Sequence, residues 1–495
     1  MNPLGAAGTG PGAQETRRGE TRGGAGTGSG AGTRGGVRRW HAELAWLPGH
    51  GVRSGVLIEA SGDRFSVVTP DVAAGDVPAG TVALVGFTMP GLANAHSHAF
   101  HRALRGVGQA GRGTFWTWRE RMYQVAERLD PGSYLALARA VYAEMALAGV
   151  ACVGEFHYLH HGPGGAPYAD PNEMGRMLIE AAAHAGIRIT LLDTCYLSGG
   201  LAADGTAEPL AGVQSRFSDG DSHRWAERAD ALGPDEHGML APHARAGAAI
   251  HSVRAVPPGQ MQPVIAWSHR YGAPLHAHVS EQPAENEACL AAYGASPAAV
   301  LDGAGALGPR STVVHATHLT GHDVEVLGGS HTAACLCPTT EADLADGIGP
   351  ASALASAGCP LTLGSDSHAV IDLLEEARRV ELGERLATGR RGHFTADELA
   401  VAATVAGHTC LGWPDAGDIA PGAMADLVTM SLDTLRLAGT RPASALESVI
   451  FAGTSADVRD VVISGRDVVR DGRHLLVPDV PTALSSAIRP LLDSR

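Results

Sequence analysis

Strand-like and helix-like segments alternate along most of this 495-residue chain. Between Asn94 and about Leu411, short apolar runs such as IRITLLDT, TVVHATHL and CPLTLGSD are separated by Ala-rich amphipathic stretches such as SYLALARAVYAEMALAG. A strand followed by a helix, many times over, predicts a parallel sheet, because parallel neighbours need a crossover connection. About eight such units close into a barrel, so we expect an α/β fold with a TIM-like (β/α)8 barrel.

The two ends of the chain carry β signals instead. Residues 39–88 and 414–495 both contain short alternating runs with turn residues between them, and the second segment ends in a predicted helix. We therefore predict a barrel over residues 89–413 and one small β-sandwich domain built from both flanking segments. Residues 1–38 are dominated by Gly, Ala, Thr and Arg, and such a segment cannot bury enough apolar surface to become ordered. We predict a disordered tail there.

Composition excludes several classes of protein. The formal net charge of -15 argues against nucleic acid as the main partner, because phosphate binding needs a basic surface. No run approaches the roughly 18 apolar residues of a membrane span, and the N-terminus lacks the apolar core of a secretory signal. The seven cysteines form no CxxC pair, which is typical of reduced, buried thiols in a cytoplasmic protein.

The first candidate for chemistry is the pair His96 and His98, which follows an apolar run and a Pro-Gly turn. In an extended strand, side chains at i and i+2 point to the same face, so both imidazoles can reach one ion. A catalytic zinc needs about three protein ligands and an open position. The pair alone is a weak signal, because a strand histidine is more often a hydrogen-bonded core residue.

Further polar residues end other apolar runs. They are His276 and His278 in PLHAHVSEQ, His315 in TVVHATHL and Asp366 in LTLGSDSH, with Glu281 three positions after His278. Each has a structural explanation, since an Asp after Gly-Ser is often a helix N-cap and Glu281 could be a surface carboxylate. In a parallel barrel, however, active residues lie at the carboxyl ends of strands, so their recurrence there favours a shared site.

This arrangement resembles the mononuclear deaminase branch of the amidohydrolase superfamily. The motifs PGLANAHSHAFHRAL, FWTWRERMY, GEFHYLHH, HSVRAV, HVSEQ, VHATHLT, LCPTTEADLADGI and GSDSH, in this order, are similar to those of formimidoylglutamate deiminases of histidine degradation. The resemblance extends from about Trp40 to near the C-terminus. It implies hydrolysis of N-formimidoyl-L-glutamate to N-formyl-L-glutamate and ammonia, one divalent metal with Zn²⁺ expected and Fe²⁺ as the alternative, and a homodimer.

Carried over residue by residue, the resemblance implies four metal ligands: His96, His98, His278 and Asp366. Zinc lowers the pKa of a bound water to about 7, so a metal-activated hydroxide would attack the formimidoyl carbon. Asp366 would accept the proton of that water, and His315 would steady the hydroxide or the tetrahedral intermediate. Glu281 would carry a proton to the departing nitrogen.

The implied substrate is a small dicarboxylate, and arginine pairs bidentately with carboxylates. The family positions that contact it match His101, Arg119, Tyr158, His251 and Arg254. Structural explanations stay open, because an Arg beside Trp is a common stacking residue and the Tyr158 hydroxyl lies among several histidines. His101 departs from the family, which usually has Gln there. Neutral His offers one donor and one acceptor, and its protonated form would bind a carboxylate more strongly.

Two other functions fit parts of this pattern. A deaminase acting on a ring such as guanine or an adenosine derivative would use the same metal ligands, but a neutral ring needs no pair of arginines. A barrel that has lost catalysis would serve as a binding or scaffold protein. Such relatives usually lose metal ligands, and all four matched positions are present here.

Overall fold

The structure, a computed structural model, describes residues 37–113 and 115–493, without the side chains of residues 115 and 116. The predicted disordered tail, residues 1–38, lies outside the described residues except for its last two. Arg38 is the first residue of a strand.

The strands are numbered in chain order, and most belong to one of two sheets. They are β1 (Arg38–Leu47), β2 (Gly51–Ser61), β3 (Arg64–Thr69), β4 (Val82–Pro90), β5 (Leu92–Ser97), β6 (Val150–His157), β7 (Arg188–Cys195), β8 (Gly200–Leu201), β9 (Ala207–Glu208), β10 (Met239–Ala241), β11 (Ala244–Ile250), β12 (Leu275–Val279), β13 (Ser311–His315), β14 (Ala333–Leu336), β15 (Leu361–Leu363), β16 (Leu427–Met430), β17 (Val458–Ile463), β18 (Arg466–Arg470) and β19 (Arg473–His474).

Most of the α-helices lie between strands β5 and β15 in the chain. They are α1 (Phe115–Arg128), α2 (Pro131–Leu147), α3 (Glu173–Ala185), α4 (Ser222–Asp230), α5 (Met261–Arg270), α6 (Pro283–Tyr293), α7 (Pro297–Gly303), α8 (Gly321–Gly329), α9 (Pro338–Asp343), α10 (Ala351–Ala357), α11 (Leu373–Thr388), α12 (Ala396–Ala403), α13 (Val405–Cys410), α14 (Ala445–Ala452) and α15 (Val480–Leu492).

Local sequence sets the ends of these helices. The Asp130 side chain accepts a hydrogen bond from the Ser133 backbone N–H at 2.8 Å, which caps the start of α2. Helix α3 ends at Gly186, whose φ of 76° lies in the left-handed region that glycine adopts without strain. These signals fix where α2 begins and where α3 ends.

Eight parallel strands form the barrel, in the order β5-β6-β7-β11-β12-β13-β14-β15. Strands β6, β7, β12, β13 and β14 are buried along their whole length, as expected for strands covered on both faces. A single parallel bridge between Ser97 and Asp366 connects the last strand to the first. The predicted barrel is therefore confirmed.

The first sheet, which is separate from the barrel, contains strands from both ends of the chain. Its order is β19-β18-β17-β16-β4-β1-β2-β3, and the antiparallel pairing of β4 with β16 connects the N-terminal strands to the C-terminal ones. Its apolar side chains, including Trp40, Phe65 and Val462, form a core of their own. A β domain built from both ends is thus confirmed, while the boundaries near residues 88 and 413 stay predictions.

A buried ion pair connects the barrel to the first sheet. Arg188 at the start of β7 donates two hydrogen bonds to Asp426, which lies just before β16. The carboxylate also accepts the backbone N–H of Ser464, and both charged side chains are almost fully buried. Burial opposes the charge on Arg188, but the adjacent carboxylate outweighs this effect and raises the pKa of the guanidinium.

Two further features of the described residues concern the cysteines and the helices. All seven cysteines are buried and form no disulfide. Among the described residues, every helix is too short or too polar to cross a bilayer.

We predict that Arg188→Met destabilises the protein by about 3–5 kcal/mol, because Asp426 is left as a buried, unpaired charge. Urea-induced unfolding monitored by tryptophan fluorescence measures the loss. The control is Arg379→Met, which removes the exposed pair of Arg379 with Glu375 on α11 and should cost at most about 1 kcal/mol. Equal losses in the two variants would show that the buried pair does not hold the two sheets together.

Candidate active site

The predicted metal ligands converge at the carboxyl end of the barrel. His96 lies on β5 and His98 follows it, His278 lies on β12, and Asp366 follows β15. The Nε2 atoms of His96 and His98 are each 3.4 Å from Oδ1 of Asp366. The Nε2 atoms of His96 and His278 are 3.1 Å apart. The structure thus brings together side chains from three separate parts of the sequence around one point.

The hydrogen bonds of these imidazoles suit a metal. Nδ1 of His98 is 3.0 Å from the Phe156 carbonyl oxygen, and Nδ1 of His278 is 2.9 Å from that of His251. Since a carbonyl oxygen only accepts, each Nδ1 carries the hydrogen and each Nε2 presents its lone pair to the site. Burial, helped by the neighbouring His96, lowers the pKa of His98 to about 3, so its ring is neutral. Neutral imidazoles and one carboxylate form a donor set that fits a single divalent cation.

A directional chain of hydrogen bonds lies beneath the ligands. Asn94 donates to Ser365 Oγ at 2.7 Å, and Ser365 Oγ is 3.1 Å from Nδ1 of His368. Nε2 of His368 is 3.1 Å from Ser97 Oγ, which donates to Glu155 at 2.7 Å. Every group in this buried chain has a partner, so the strand ends that carry the ligands are held in one arrangement.

Two of the predicted residues have strained backbones. His315 and Asp366 have φ values of 70° and 41°, in the left-handed region that is unfavourable for residues with a β-carbon. Such conformations persist only where the surroundings enforce them, and they concentrate at functional sites. Here they turn both side chains into the mouth of the barrel.

His315 lies among three carboxylates. Its Nε2 is 3.7 Å from Glu281 Oε1 and 3.9 Å from Asp366 Oδ2, and its Nδ1 is 3.5 Å from Glu341 Oε1. Burial acts to lower the pKa of His315, but Glu281, Glu341 and Asp366 together raise it well above its usual value. His315 can therefore donate hydrogen bonds towards the metal position.

An open cavity lies above the ligands. Of the predicted site residues, it is lined by His98, His101, Arg119, Tyr158, His251, Arg254, His278, Glu281, His315 and Asp366. His96 lies deeper, fully buried against the other ligands. All the predicted site residues thus surround one space, and their individual roles stay predictions.

His101 is neutral in this environment. Burial, followed by the nearby His98, holds its pKa well below the usual value. Its Nε2 is 3.1 Å from the Tyr158 hydroxyl, and its buried Nδ1 has no hydrogen-bond partner in the part of the chain that the structure describes. The protonated form that would bind a carboxylate more strongly is thus disfavoured, and His101 acts as one donor and one acceptor.

The two arginines approach the cavity from different elements. Arg254 lies 3.6 Å from Glu281 and 3.8 Å from Glu285, and its buried Nε has no hydrogen-bond partner among the described residues. Arg119 on α1 donates to the Tyr123 hydroxyl at 2.7 Å and to the Gly199 carbonyl oxygen at 3.2 Å. The cavity wall thus carries two guanidinium groups together with the carboxylates of Glu281 and Asp366.

Sequence reasoning missed several residues of the site. Tyr123 lies on α1 and Glu341 on α9, so neither residue ends an apolar strand. Tyr196 directly follows β7, so the same strand-end rule could have found it. Gln214 lies in a short 3-10 turn, and nothing in its sequence context identifies it.

We predict that His278→Ala weakens zinc binding at least about 100-fold, because it removes a ligand rather than an outer partner. Titration against a fluorescent chelator measures the affinity without any substrate. The control is His276→Gln on the same strand, since His276 faces the Cys410 carbonyl oxygen at 3.1 Å. If both variants keep the wild-type affinity for zinc, the metal does not bind at His96, His98, His278 and Asp366.

Comparisons with known proteins agree with this architecture. Residues 87–468 match the model of the amidohydrolase family. Formimidoylglutamate deiminase of Pseudomonas aeruginosa is 38% identical over 91% of this chain and 99% of its own length. The 8-oxoguanine deaminase of Pseudomonas aeruginosa is 30% identical over 78% of this chain and 82% of its own length.

The solved structures show the same fold. A crystal structure of an amidohydrolase from Brucella melitensis superposes with a TM-score of 0.83 and 32% identity, covering 92% of this chain and all of that one. From the family match and the nearly full-length relative, the chain belongs to the amidohydrolase family and is a hydrolase that acts on C–N bonds.

Proposed function

We propose that this enzyme hydrolyses N-formimidoyl-L-glutamate to N-formyl-L-glutamate and ammonia. The observation that carries the proposal is the presence of Arg119 and Arg254 in the cavity next to the four proposed metal ligands. Two guanidinium groups suit an acyclic substrate with two carboxylates, because arginine binds carboxylates with charge-assisted hydrogen bonds. The 38% identity to a formimidoylglutamate deiminase supports the same substrate.

The metal in this proposal is one divalent cation held by His96, His98, His278 and Asp366. Zinc is the expected ion, and Fe²⁺ is the alternative that the same donor set accommodates. When bound, such a cation lowers the pKa of a water molecule to about 7 and polarises the group under attack.

The roles of the chain's own residues follow from their positions. The reaction consumes one water, forms a carbonyl at the formimidoyl carbon and releases the terminal nitrogen as ammonia. Asp366 accepts a proton from the attacking water. His315, whose Nε2 is 3.9 Å from Asp366 Oδ2, donates a hydrogen bond to the oxygen of that water. Glu281, 3.7 Å from His315 and lining the cavity, transfers a proton to the departing nitrogen.

The other predicted residues bind and orient the substrate. Arg254 and Arg119 pair with the carboxylates, while His251, His101 and Tyr158 line the wall between them and the ligands. Tyr158 is almost fully buried, so its hydroxyl has a fixed direction. A role in histidine degradation and a homodimeric assembly belong to the same proposal.

A ring-specific deaminase is the second candidate. The 30% identity to an 8-oxoguanine deaminase favours it. A deaminase of that kind would use the same four metal ligands. A neutral ring, however, brings no carboxylate to the two arginines. Ammonia release from guanine derivatives at a higher kcat/KM than from N-formimidoyl-L-glutamate would select this alternative.

We predict that Glu281→Ala lowers kcat for N-formimidoyl-L-glutamate by about 10²- to 10⁴-fold while metal content stays unchanged, because it removes a proton-transfer group but no ligand. Asp366→Ala should lose both activity and metal. Steady-state ammonia release and metal analysis measure the two effects. The exposed Glu236→Ala is the control. Activity of Glu281→Ala within tenfold of the wild type would contradict the assigned role.

We also predict that His101→Gln keeps or raises activity on N-formimidoyl-L-glutamate. Gln retains a donor and an acceptor near the Tyr158 hydroxyl, which His101 approaches at 3.1 Å. The comparison variant is His101→Ala, which removes both groups. A loss of more than about tenfold in kcat/KM for His101→Gln, roughly 1.4 kcal/mol, would show that His101 serves a different substrate.

A further inference from the structure

Two tyrosine hydroxyls in the cavity are held by one buried amide. Nε2 of Gln214 is 3.0 Å from the hydroxyl oxygens of both Tyr123 and Tyr196 and 3.0 Å from the Gly199 carbonyl oxygen, so its two hydrogens are shared among three acceptors. Oε1 of Gln214 accepts the backbone N–H of Ala211 at 2.9 Å. Because that N–H needs an acceptor, the amide oxygen must face Ala211, and the NH₂ group must face the two tyrosines.

The direction of these hydrogen bonds leaves both hydroxyl hydrogens free. An amide NH₂ group and a guanidinium donate and do not accept, so neither tyrosine can donate to Gln214 or Arg119. The Tyr123 oxygen accepts from Arg119 Nε at 2.7 Å as well as from Gln214. Within the part of the chain that the structure describes, neither hydroxyl donates to a protein acceptor. Both hydrogens are therefore available to a ligand.

The hydroxyls face the same space as the two arginines. Tyr123, Tyr196, Arg119 and Arg254 all line the cavity, and the positive charges of both arginines act on the Tyr196 hydroxyl. Burial raises the pKa of Tyr196, so this hydroxyl keeps its hydrogen. The wall thus presents two hydroxyl donors and two guanidinium donors.

We propose that Tyr123 and Tyr196 are substrate-binding residues that donate their O–H groups to the carboxylate remote from the reacting carbon. Gln214 is the positioning residue that turns those donors into the cavity. The inference rests on the proposed function, since it assigns a site to one carboxylate of the dicarboxylate substrate. It also explains selectivity. A carboxamide brings an NH₂ group, which cannot accept a hydrogen bond from any of these four donors, and a buried donor left unpaired costs binding free energy.

Binding of two unreactive analogues tests this assignment in the full-length enzyme. Glutarate carries two carboxylates, and its monoamide glutaramate carries one carboxylate and one carboxamide. We expect calorimetry to show that the wild type prefers glutarate. Tyr123→Phe and Tyr196→Phe should each weaken glutarate binding about tenfold or more and raise KM for N-formimidoyl-L-glutamate, because each loses a hydrogen bond to a charged group.

The matched control is Tyr271→Phe. The Tyr271 hydroxyl lies outside the cavity and donates to Asp230, the last residue of α4, at 2.9 Å. This variant should leave glutarate binding within twofold of the wild type. The variant Gln214→Glu is nearly isosteric but replaces the donor with an acceptor. It should draw the hydroxyl hydrogens away from the cavity and shift the preference towards glutaramate, which loss of packing alone would not do.

The outcomes separate this inference from the proposed reaction. If ammonia is released from N-formimidoyl-L-glutamate but both phenylalanine variants keep glutarate affinity within twofold, the inference is overturned and the reaction stands. If no ammonia is released but glutarate binding depends on both hydroxyls, the inference stands and the reaction assignment fails. Failure of the wild type to bind glutarate would overturn the inference. Unfolding midpoints of the variants confirm that each is folded.

Discussion

The site depends on the seam where the last barrel strand meets the first. Only one backbone bridge, Ser97 with Asp366, joins the two strands, and the Asp366 backbone N–H donates to the His96 carbonyl oxygen at 3.0 Å. The Asn94 side chain adds two hydrogen bonds to Ser365, at 2.7 and 2.9 Å. Closing the barrel and assembling the metal ligands are therefore the same event, because the aspartate reaches the histidines only when the seam forms.

The electrostatics of the cavity differ from those of the protein as a whole. A chain with a net charge of -15 presents two arginines and two hydroxyl donors at one side of its cavity, and a histidine among three carboxylates at the other. Burial strengthens both sets of interactions, since screening by water is weak there. In the proposed reaction the arginines would attract an anionic substrate, and Glu281, 3.6 Å from Arg254 and 3.7 Å from His315, would connect them to the groups that transfer protons.

Much of the fold, and the convergence of the four proposed metal ligands, could be predicted from sequence because the signals are local. His96, His278 and Asp366 each end or directly follow an apolar run, and a parallel barrel places all such residues at one end. The two tyrosines held by Gln214 were less accessible to this reasoning, although Tyr196 directly follows β7. Gln214 and Tyr123 lie on a 3-10 turn and a helix, and their roles depend on contacts with each other rather than on their own sequence context. The neutral state of His101 likewise follows from burial in the folded protein.

The central claim is that one divalent cation binds where three imidazoles and one carboxylate meet. Anomalous X-ray diffraction from crystals of the zinc-loaded enzyme, collected on both sides of the zinc absorption edge, tests it most directly. We expect one strong peak about 2.0–2.2 Å from Nε2 of His96, His98 and His278 and from a carboxylate oxygen of Asp366. A peak elsewhere, or none at this position in fully loaded protein, would contradict the account.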